Sequence, residues 1–217
     1  MFQEKIALLA GSTGLVGSAL ALKLKKRTDY SKVILLSRRG KSFINGKIEN
    51  RVIDYNDLEQ ALNDVRPDHV FCTLGTTIRK AGSQKAFRYV DYDLVFELGK
   101  WAKKKNVDYF GVVTSMGANA GSSFFYNKVK GEIETSLSNL DLRRLGIFRP
   151  SLLLGKRKET RMGEGFAQVF FSISSWLFIG TLENYKGISS DNVADAMIKD
   201  SFNTNEGKRI ISNKEML

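Results

Sequence analysis

Four groups of residues in this chain have types and spacings that could do chemistry. Gly11, Gly14 and Gly17 stand three apart in GSTGLVG, between the apolar run KIALLA and the stretch LVGSALALKLKK. Tyr126 and Lys130 lie four apart in YNKVK. Ser115, with Thr114 before it, follows the apolar run YFGVV and stands eleven residues ahead of Tyr126. Ser37, Arg38 and Arg39 close the run KVILL.

Main chain can approach a ligand closely only where side chains are missing. In a strand-to-helix turn the first glycine permits the tight turn, the second lets a pyrophosphate come near, and the third lets helix and strand pack together. The helix N-terminus then offers free N–H groups and a positive dipole end to the phosphates. The spacing here is G-x-x-G-x-x-G, not the G-x-G-x-x-G of the usual dinucleotide fingerprint, so glycines that serve the turn alone are the competing reading. About 20 residues further on, an NAD site expects a carboxylate for the ribose 2′-OH. That place holds Ser37, Arg38 and Arg39 instead, a hydroxyl donor and two guanidinium forks suited to a phosphate. This favours NADP(H) over NAD(H), against the alternative of two surface arginines in a loop.

On a helix Tyr126 and Lys130 face the same way. A free phenol ionises at about pH 10, and an adjacent ammonium stabilises the phenolate. That equips Tyr126 to move a proton. A serine hydroxyl at a neighbouring strand end can hold a carbonyl oxygen as negative charge develops on it. Ser115 is placed for this, and Thr114 takes its role if the strand end is shifted by one. Tyr-x-x-x-Lys recurs by chance, and its weight here comes from the glycine turn and the serine that accompany it.

Positioning these groups requires a scaffold. Strand-like segments at 5–10, 32–38, 47–55, 69–75, 109–117, 143–155 and 208–213 alternate with helix-like ones at 15–26, 56–64, 87–106, 125–139 and 188–203, with Asn56 as a cap for the second helix. Continuously apolar strands alternating with helices predict an α/β, Rossmann-type, doubly wound parallel sheet with helices on both faces. With 217 residues, 42% of them hydrophobic, the chain reads as one domain over 1–217. The alternation fades after residue 155, so 155–187 reads as a small substrate-side or lid region. Its most apolar part, FAQVFFSISSWLFIGTL at 166–182, is interrupted by Gln168, Ser172, Ser174 and Ser175. We read it as a buried or lid helix, with interfacial membrane contact as the alternative.

The remaining residues exclude other classes. Cys72 is the one cysteine, so no intrachain disulfide forms, in keeping with a reducing, cytoplasmic setting. Cys72 reads as core rather than nucleophile. His69 is the one histidine, which argues against a His/Cys metal site. It stands in RPDHV before a strand, at the edge away from catalysis, and reads as structural or solvent-facing. The net charge of +11 is dispersed through LKLKKR, KWAKKK and KRKETR, as on solvated helix faces, and implies no specific nucleic-acid binding. MFQEKIALLAG lacks a basic segment before an apolar one and reads as a first strand, not a signal peptide.

Taken together, GSTGLVG, TLGTT, TSMGA, YNKVK and FRPSLLLG resemble the short-chain dehydrogenase/reductase superfamily, in its extended or atypical branch of NAD(P)-dependent epimerase/dehydratase-like proteins. CTLGTTIRKAGSQKAFRYVDYD, FYNKVKGEIE and FRPSLLLGKRKETRMGE resemble the Tat-interacting oxidoreductase-like group of that branch. The resemblance implies that Gly11, Ser12, Thr13, Gly14, Leu15 and Val16 line the pyrophosphate and that Ser37, Arg38 and Arg39 hold the adenosine phosphate. It places Asp54 and Tyr55 beside the adenine, Leu74, Gly75 and Thr76 along the middle of the cofactor, and Pro150 with Ser151 near the carboxamide. Ser115, Tyr126 and Lys130 are the implied catalytic set, with Tyr126 and Lys130 also touching the cofactor, and homodimers through helices like 86–105 and 123–138 are implied. The expected activity is hydride transfer between nicotinamide and a carbonyl or alcohol substrate. The alternative is an NADPH-binding regulatory protein with little turnover, in which a partner reads the 155–187 region.

Overall fold

The computed structural model describes residues 4–154 and 186–217. Of the expected lid region only Lys186 and Gly187 fall within them, and the apolar stretch at 166–182 lies outside. The chain runs β1 (Lys5–Ala10), α1 (Leu15–Lys26), β2 (Tyr30–Ser37), β3 (Phe43–Asn45), β4 (Ile48–Val52), α2 (Leu58–Ala61), β5 (His69–Cys72), α3 (Ile78–Ala81), α4 (Gln84–Arg88), α5 (Leu94–Lys104) and β6 (Tyr109–Val113). It continues with α6 (Phe125–Ser138), β7 (Arg144–Arg149), β8 (Leu153–Leu154), β9 (Ile188–Ser189), α7 (Ser190–Ser201), β10 (Gly207–Ser212) and α8 (Asn213–Met216).

Eight strands form one sheet in the order β10-β7-β6-β5-β1-β2-β4-β3. All neighbours are parallel except β3 and β4. From β1 the chain winds one way through β2 and β4 and the other way through β5 to β10, so β1 and β5 flank the switch point where such sheets bind ligands. Alternation along β1 shows why the strand is apolar throughout. Ala7 and Leu9 pack on one face with Leu20 and Leu24 of α1 and Val193 and Met197 of α7. Leu8 and Ala10 pack on the other with Leu62, Leu98 and Trp101, and with Ile133 and Leu137 of α6.

Several expected boundaries move. The third strand is shortened to β4 and gains the antiparallel partner β3 through a turn at Gly46, where φ is +59°. Asn45-Gly46 is a hairpin signal by composition. The expected helix at 56–64 is a 3-10 turn over Tyr55–Asp57 followed by α2, capped by Asp54 and Asp57 rather than by Asn56. The expected long helix begins earlier, at Gln84, and a π-turn over Tyr89–Asp93 interrupts it. The sixth strand splits, because Pro150 has no N–H to continue the ladder. Beyond it β8 pairs with β9 in a separate two-stranded sheet. Among the described residues no helix is long and apolar enough to cross a membrane.

Candidate active site

The three glycines divide their work. Gly11 has φ +88°, which disfavours any side chain, and a Cβ there would stand 2.6 Å from the Thr73 backbone. A Cβ on Gly17 would stand 2.1 Å from the Gly11 carbonyl oxygen. Those two glycines are required by the chain's own packing. Gly14 is different, because its Cβ would meet only the Gly11 oxygen, at 3.3 Å. It is the N-cap of α1, with no side-chain cap and no acidic residue in the first turn. The N–H groups that every helix start leaves unsatisfied are therefore open to an outside acceptor. Ser12 and Thr13 form the turn and Leu15 begins the helix. Val16 is buried in the core, so its main chain is what it can offer a ligand. This open, uncapped helix start fits a dinucleotide's phosphates.

At the end of β2, Ser37 is half-buried and its hydroxyl donates to the Arg51 carbonyl at 3.4 Å. Arg38 and Arg39 are exposed and, among the described residues, take part in no ion pair or hydrogen bond. Arg27, Arg51, Arg88, Arg143, Arg149 and Arg209 by contrast all face carboxylates. Asp54 uses a carboxylate oxygen on the Asn56 N–H at 2.9 Å. Tyr55 does not present its ring as an adenine wall. It is 3% exposed and packs in the core beside Leu58 and Cys72, because the 3-10 turn rotates it inward.

Strand β6 ends at Val113, which leaves Thr114 and Ser115 just past its carboxyl end. The Thr114 hydroxyl donates to buried Glu134 at 2.5 Å. Arg149 holds Glu134 in turn, with Nε 3.1 Å from Oε1. The Ser115 hydroxyl is buried and, among the described residues, has no hydrogen-bond partner. Of the two hydroxyls expected for one role, Thr114's is engaged within the protein and Ser115's is not, among the described residues.

The loop after Ser115 lies directly on α6. The Asn119 N–H donates to the Asn127 carbonyl at 3.0 Å. A Cβ on Gly131 would come within 2.0 Å of the Ala120 nitrogen. Gly131 was not singled out in the sequence, although a glycine inside a helix is itself a sign of close approach. Tyr126 and Lys130 flank this contact on α6. Tyr126 is half-buried with its ring 5.5 Å from that of Phe87, and Lys130 is 5% exposed.

Sequence reasoning missed Asp91. It lies in the π-turn and is 1% exposed. One of its oxygens lies 2.7 Å from Lys130 Nζ, and the other accepts the Thr76 N–H at 2.8 Å. Burial works to lower the Lys130 pKa, but the Asp91 charge outweighs it and holds the ammonium above the ordinary lysine range. Gly75 is exposed beside this pair, and Leu74 packs against the core.

Ser151 is not available near a carboxamide. Its N–H donates to Asn213 Oδ1 at 2.9 Å and its hydroxyl to the Lys186 carbonyl at 2.6 Å, so both groups tie the strand end to the C-terminal segment. Pro150 is buried and its carbonyl accepts the Met116 N–H at 3.0 Å. Cys72 is buried and burial pushes its thiol up to about 12, which suits a core residue and not a nucleophile. His69 is not in a turn; it opens β5 and is fully buried. No cluster of metal-ligating side chains occurs among the described residues.

The mostly parallel sheet with its glycine turn at the switch point has the Rossmann fold, and the family match makes the chain an NAD(P)-dependent, epimerase-like enzyme. The chain belongs to the NAD dependent epimerase/dehydratase family, whose profile matches residues 7–144. It is 36% identical over 173 residues to Protein HTATIP2 of Rattus norvegicus, covering 78% of this chain and 71% of that protein. It is 38% identical over 160 residues to Protein FMP52-1, mitochondrial, of Scheffersomyces stipitis, covering 71% and 70%. Among solved structures it is similar to the UDP-glucose 4-epimerase of Thermotoga maritima with UDP-glucose, at TM-score 0.72 and 16% identity, covering 95% of this chain and 75% of that one. It is likewise similar to WbmH of Bordetella bronchiseptica in complex with NAD+, at TM-score 0.72 and 18% identity, covering 96% and 75%. The cytoplasmic expectation does not stand, since the FMP52 relatives of Scheffersomyces stipitis, Candida albicans and Eremothecium gossypii are named as mitochondrial. A lone reduced cysteine says nothing about which reducing compartment holds a protein.

Proposed function

We propose that the protein is an NADP(H)-dependent oxidoreductase that interconverts a carbonyl and an alcohol, with Ser115, Tyr126 and Lys130 managing the oxygen and its proton. The observation that carries this reading is the buried, unpartnered Ser115 hydroxyl on a loop fastened to the helix of Tyr126 and Lys130, next to a Thr114 hydroxyl already engaged. A buried polar group without a partner is costly unless something else satisfies it.

When bound, the nicotinamide cofactor supplies or accepts the hydride. Gly14 and the first turn of α1 would receive the two linked phosphates, and the unpaired Arg38 and Arg39 would clasp the 2′-phosphate. Ser115 would donate to the substrate oxygen as it gains negative charge. Tyr126 would give that oxygen its proton, or take it in the reverse direction, with the Lys130 ammonium favouring the phenolate that remains.

The NADP preference is tested by replacing the arginines. Arg38→Ala with Arg39→Ala should weaken NADPH binding by roughly 10- to 100-fold, the value of one or two charge-assisted bonds, and leave NADH binding unchanged. Equal losses for both nucleotides would contradict it. Turnover is tested by following NADPH oxidation with aldehydes, ketones and nucleotide sugars. A rise in melting temperature on NADPH addition, with no oxidation by any of them, would favour a cofactor-sensing protein instead.

A further inference from the structure

We propose that Asp91 is a positioning residue that keeps Lys130 charged and joins it to the loop at 74–76. For its catalytic meaning this rests on the roles proposed above for Tyr126 and Lys130. The π-turn over Tyr89–Asp93 breaks what would be a continuous helix from Gln84 to Lys104, and π-turns of this kind commonly mark functional positions. The residue it holds inward here is a carboxylate, Asp91, set among buried groups.

Both partners are almost fully enclosed, with side-chain exposure of 6% for Lys130 and 1% for Asp91. An ammonium buried to that degree with no counter-charge gives up its proton readily. Among the described residues, the ionisable groups that act most on Lys130 are Asp91 from the π-turn, Tyr126 from α6 and Cys72 from β5. Burial keeps the Cys72 thiol neutral, so Asp91 is the carboxylate among them. The two oxygens of Asp91 have different tasks. Oδ1 meets the ammonium of α6, and Oδ2 accepts the N–H of Thr76 in the loop after β5. One side chain thus fixes two elements that both border the site. Gly75 leaves the outer side of the pair open, because a Cβ there would stand 3.4 Å from Asp91 Oδ1 and 3.9 Å from Lys130 Nζ. A ligand lying on the Gly75 main chain would meet a lysine whose place and charge Asp91 has already set.

Asp91→Asn keeps the shape and removes the charge. The readout is the 13Cε resonance of Lys130 followed with pH, assigned by its loss in Lys130→Met. In the unaltered protein the resonance should stay that of an ammonium up to about pH 11, beyond the ordinary lysine value. In Asp91→Asn its midpoint should fall below about 10.4, the value of a free lysine. An unchanged midpoint in the folded variant would overturn the proposal. If Asp91→Asn does not fold, Asp91→Asn with Lys130→Met should recover folding, since removing both partners leaves no unpaired buried charge. A double variant that also fails to fold would overturn the proposal by showing that Asp91 supports the chain apart from Lys130. Neither measurement uses a cofactor, so absence of NADPH binding would count against the proposed function and not against this pairing.

Discussion

The two edges of the central sheet differ in which polar groups they leave without a partner among the described residues. At the amino edge most are engaged, although His69 Nε2 is buried without a hydrogen-bond partner. Lys5 lies 3.9 Å from Asp68 and 3.7 Å from Asp108, and Arg143 pairs with Asp108 and Glu206. Arg144 donates to the carbonyls of Asp108, Ser201 and Asn203. The Tyr30 hydroxyl lies 2.7 Å from His69 Nδ1, and Tyr109 donates to Asp200 at 3.0 Å. At the carboxyl edge the helix start at Gly14 has no side-chain cap and, among the described residues, Arg38, Arg39 and the buried Ser115 hydroxyl have no partner. Thr114, Asp91 and Ser151 at the carboxyl edge are engaged as well, so what sets that edge apart is the uncapped helix start, the two arginines and Ser115. Sites in open α/β sheets lie at the carboxyl edge, and the balance of satisfied and unsatisfied groups gives a reason in this chain's own residues.

Substitutions at the two edges should therefore differ in kind. The largest effect is expected from Tyr126→Phe, which should cut turnover by roughly 100- to 10,000-fold while NADPH affinity and melting temperature stay as they were. Undiminished turnover would remove Tyr126 from the mechanism. Next come the glycines, where one motif separates fold from ligand. Gly17→Ala drives a methyl into the Gly11 carbonyl and should cost about 3 kcal/mol in denaturant unfolding. Gly14→Ala should change stability by less than about 1 kcal/mol yet weaken NADPH binding. If both variants lost stability alike, the division of labour among the glycines would be wrong.

The amino edge makes its own prediction through pH. Burial lowers the His69 pKa from 6.5 to about 3. The unfolded chain therefore takes up a proton below pH 6.5 that the folded protein refuses down to about pH 3. Stability is complete above pH 6.5 and falls by about 1.4 kcal/mol per pH unit below it. His69→Phe, set among the rings of Tyr30, Phe71, Tyr109 and Phe202, should flatten that slope without touching cofactor binding. An equally steep acid loss in the variant would assign it to other groups. At the strand end the two neighbouring hydroxyls should separate stability from turnover. Thr114→Val leaves Glu134 short of a donor and should cost about 1–2 kcal/mol of stability. Ser115→Ala removes an unpartnered hydroxyl and should leave stability intact while lowering turnover. Reversed results in melting and rate measurements would exchange the two roles.

Much of the fold that forms the carboxyl edge was legible in the sequence because its signals are local. The glycine turn, the arginines after β2 and the Tyr126–Lys130 spacing are each read within a few residues. What was not legible is whether a polar group is engaged elsewhere. Ser151 reads as a free serine until Asn213, 62 residues on, takes its N–H. Tyr55 reads as a ligand wall until the 3-10 turn buries it. Asp91 left a trace that periodicity concealed. It shares the helical spacing of Phe87, Leu94 and Leu98, so a carboxylate sits on the apolar stripe. Such a residue has to find a buried partner or break the helix, and Asp91 does both.

The account stands or falls on whether the main chain at Gly14 and the pair Arg38–Arg39 together take up a 2′-phosphorylated dinucleotide. Titration calorimetry of the purified protein with NADPH and NADH in parallel is the direct measurement. The account predicts saturation at one NADPH per chain, with NADH weaker by at least about 10-fold. No heat of binding from either nucleotide at about millimolar concentration would contradict it.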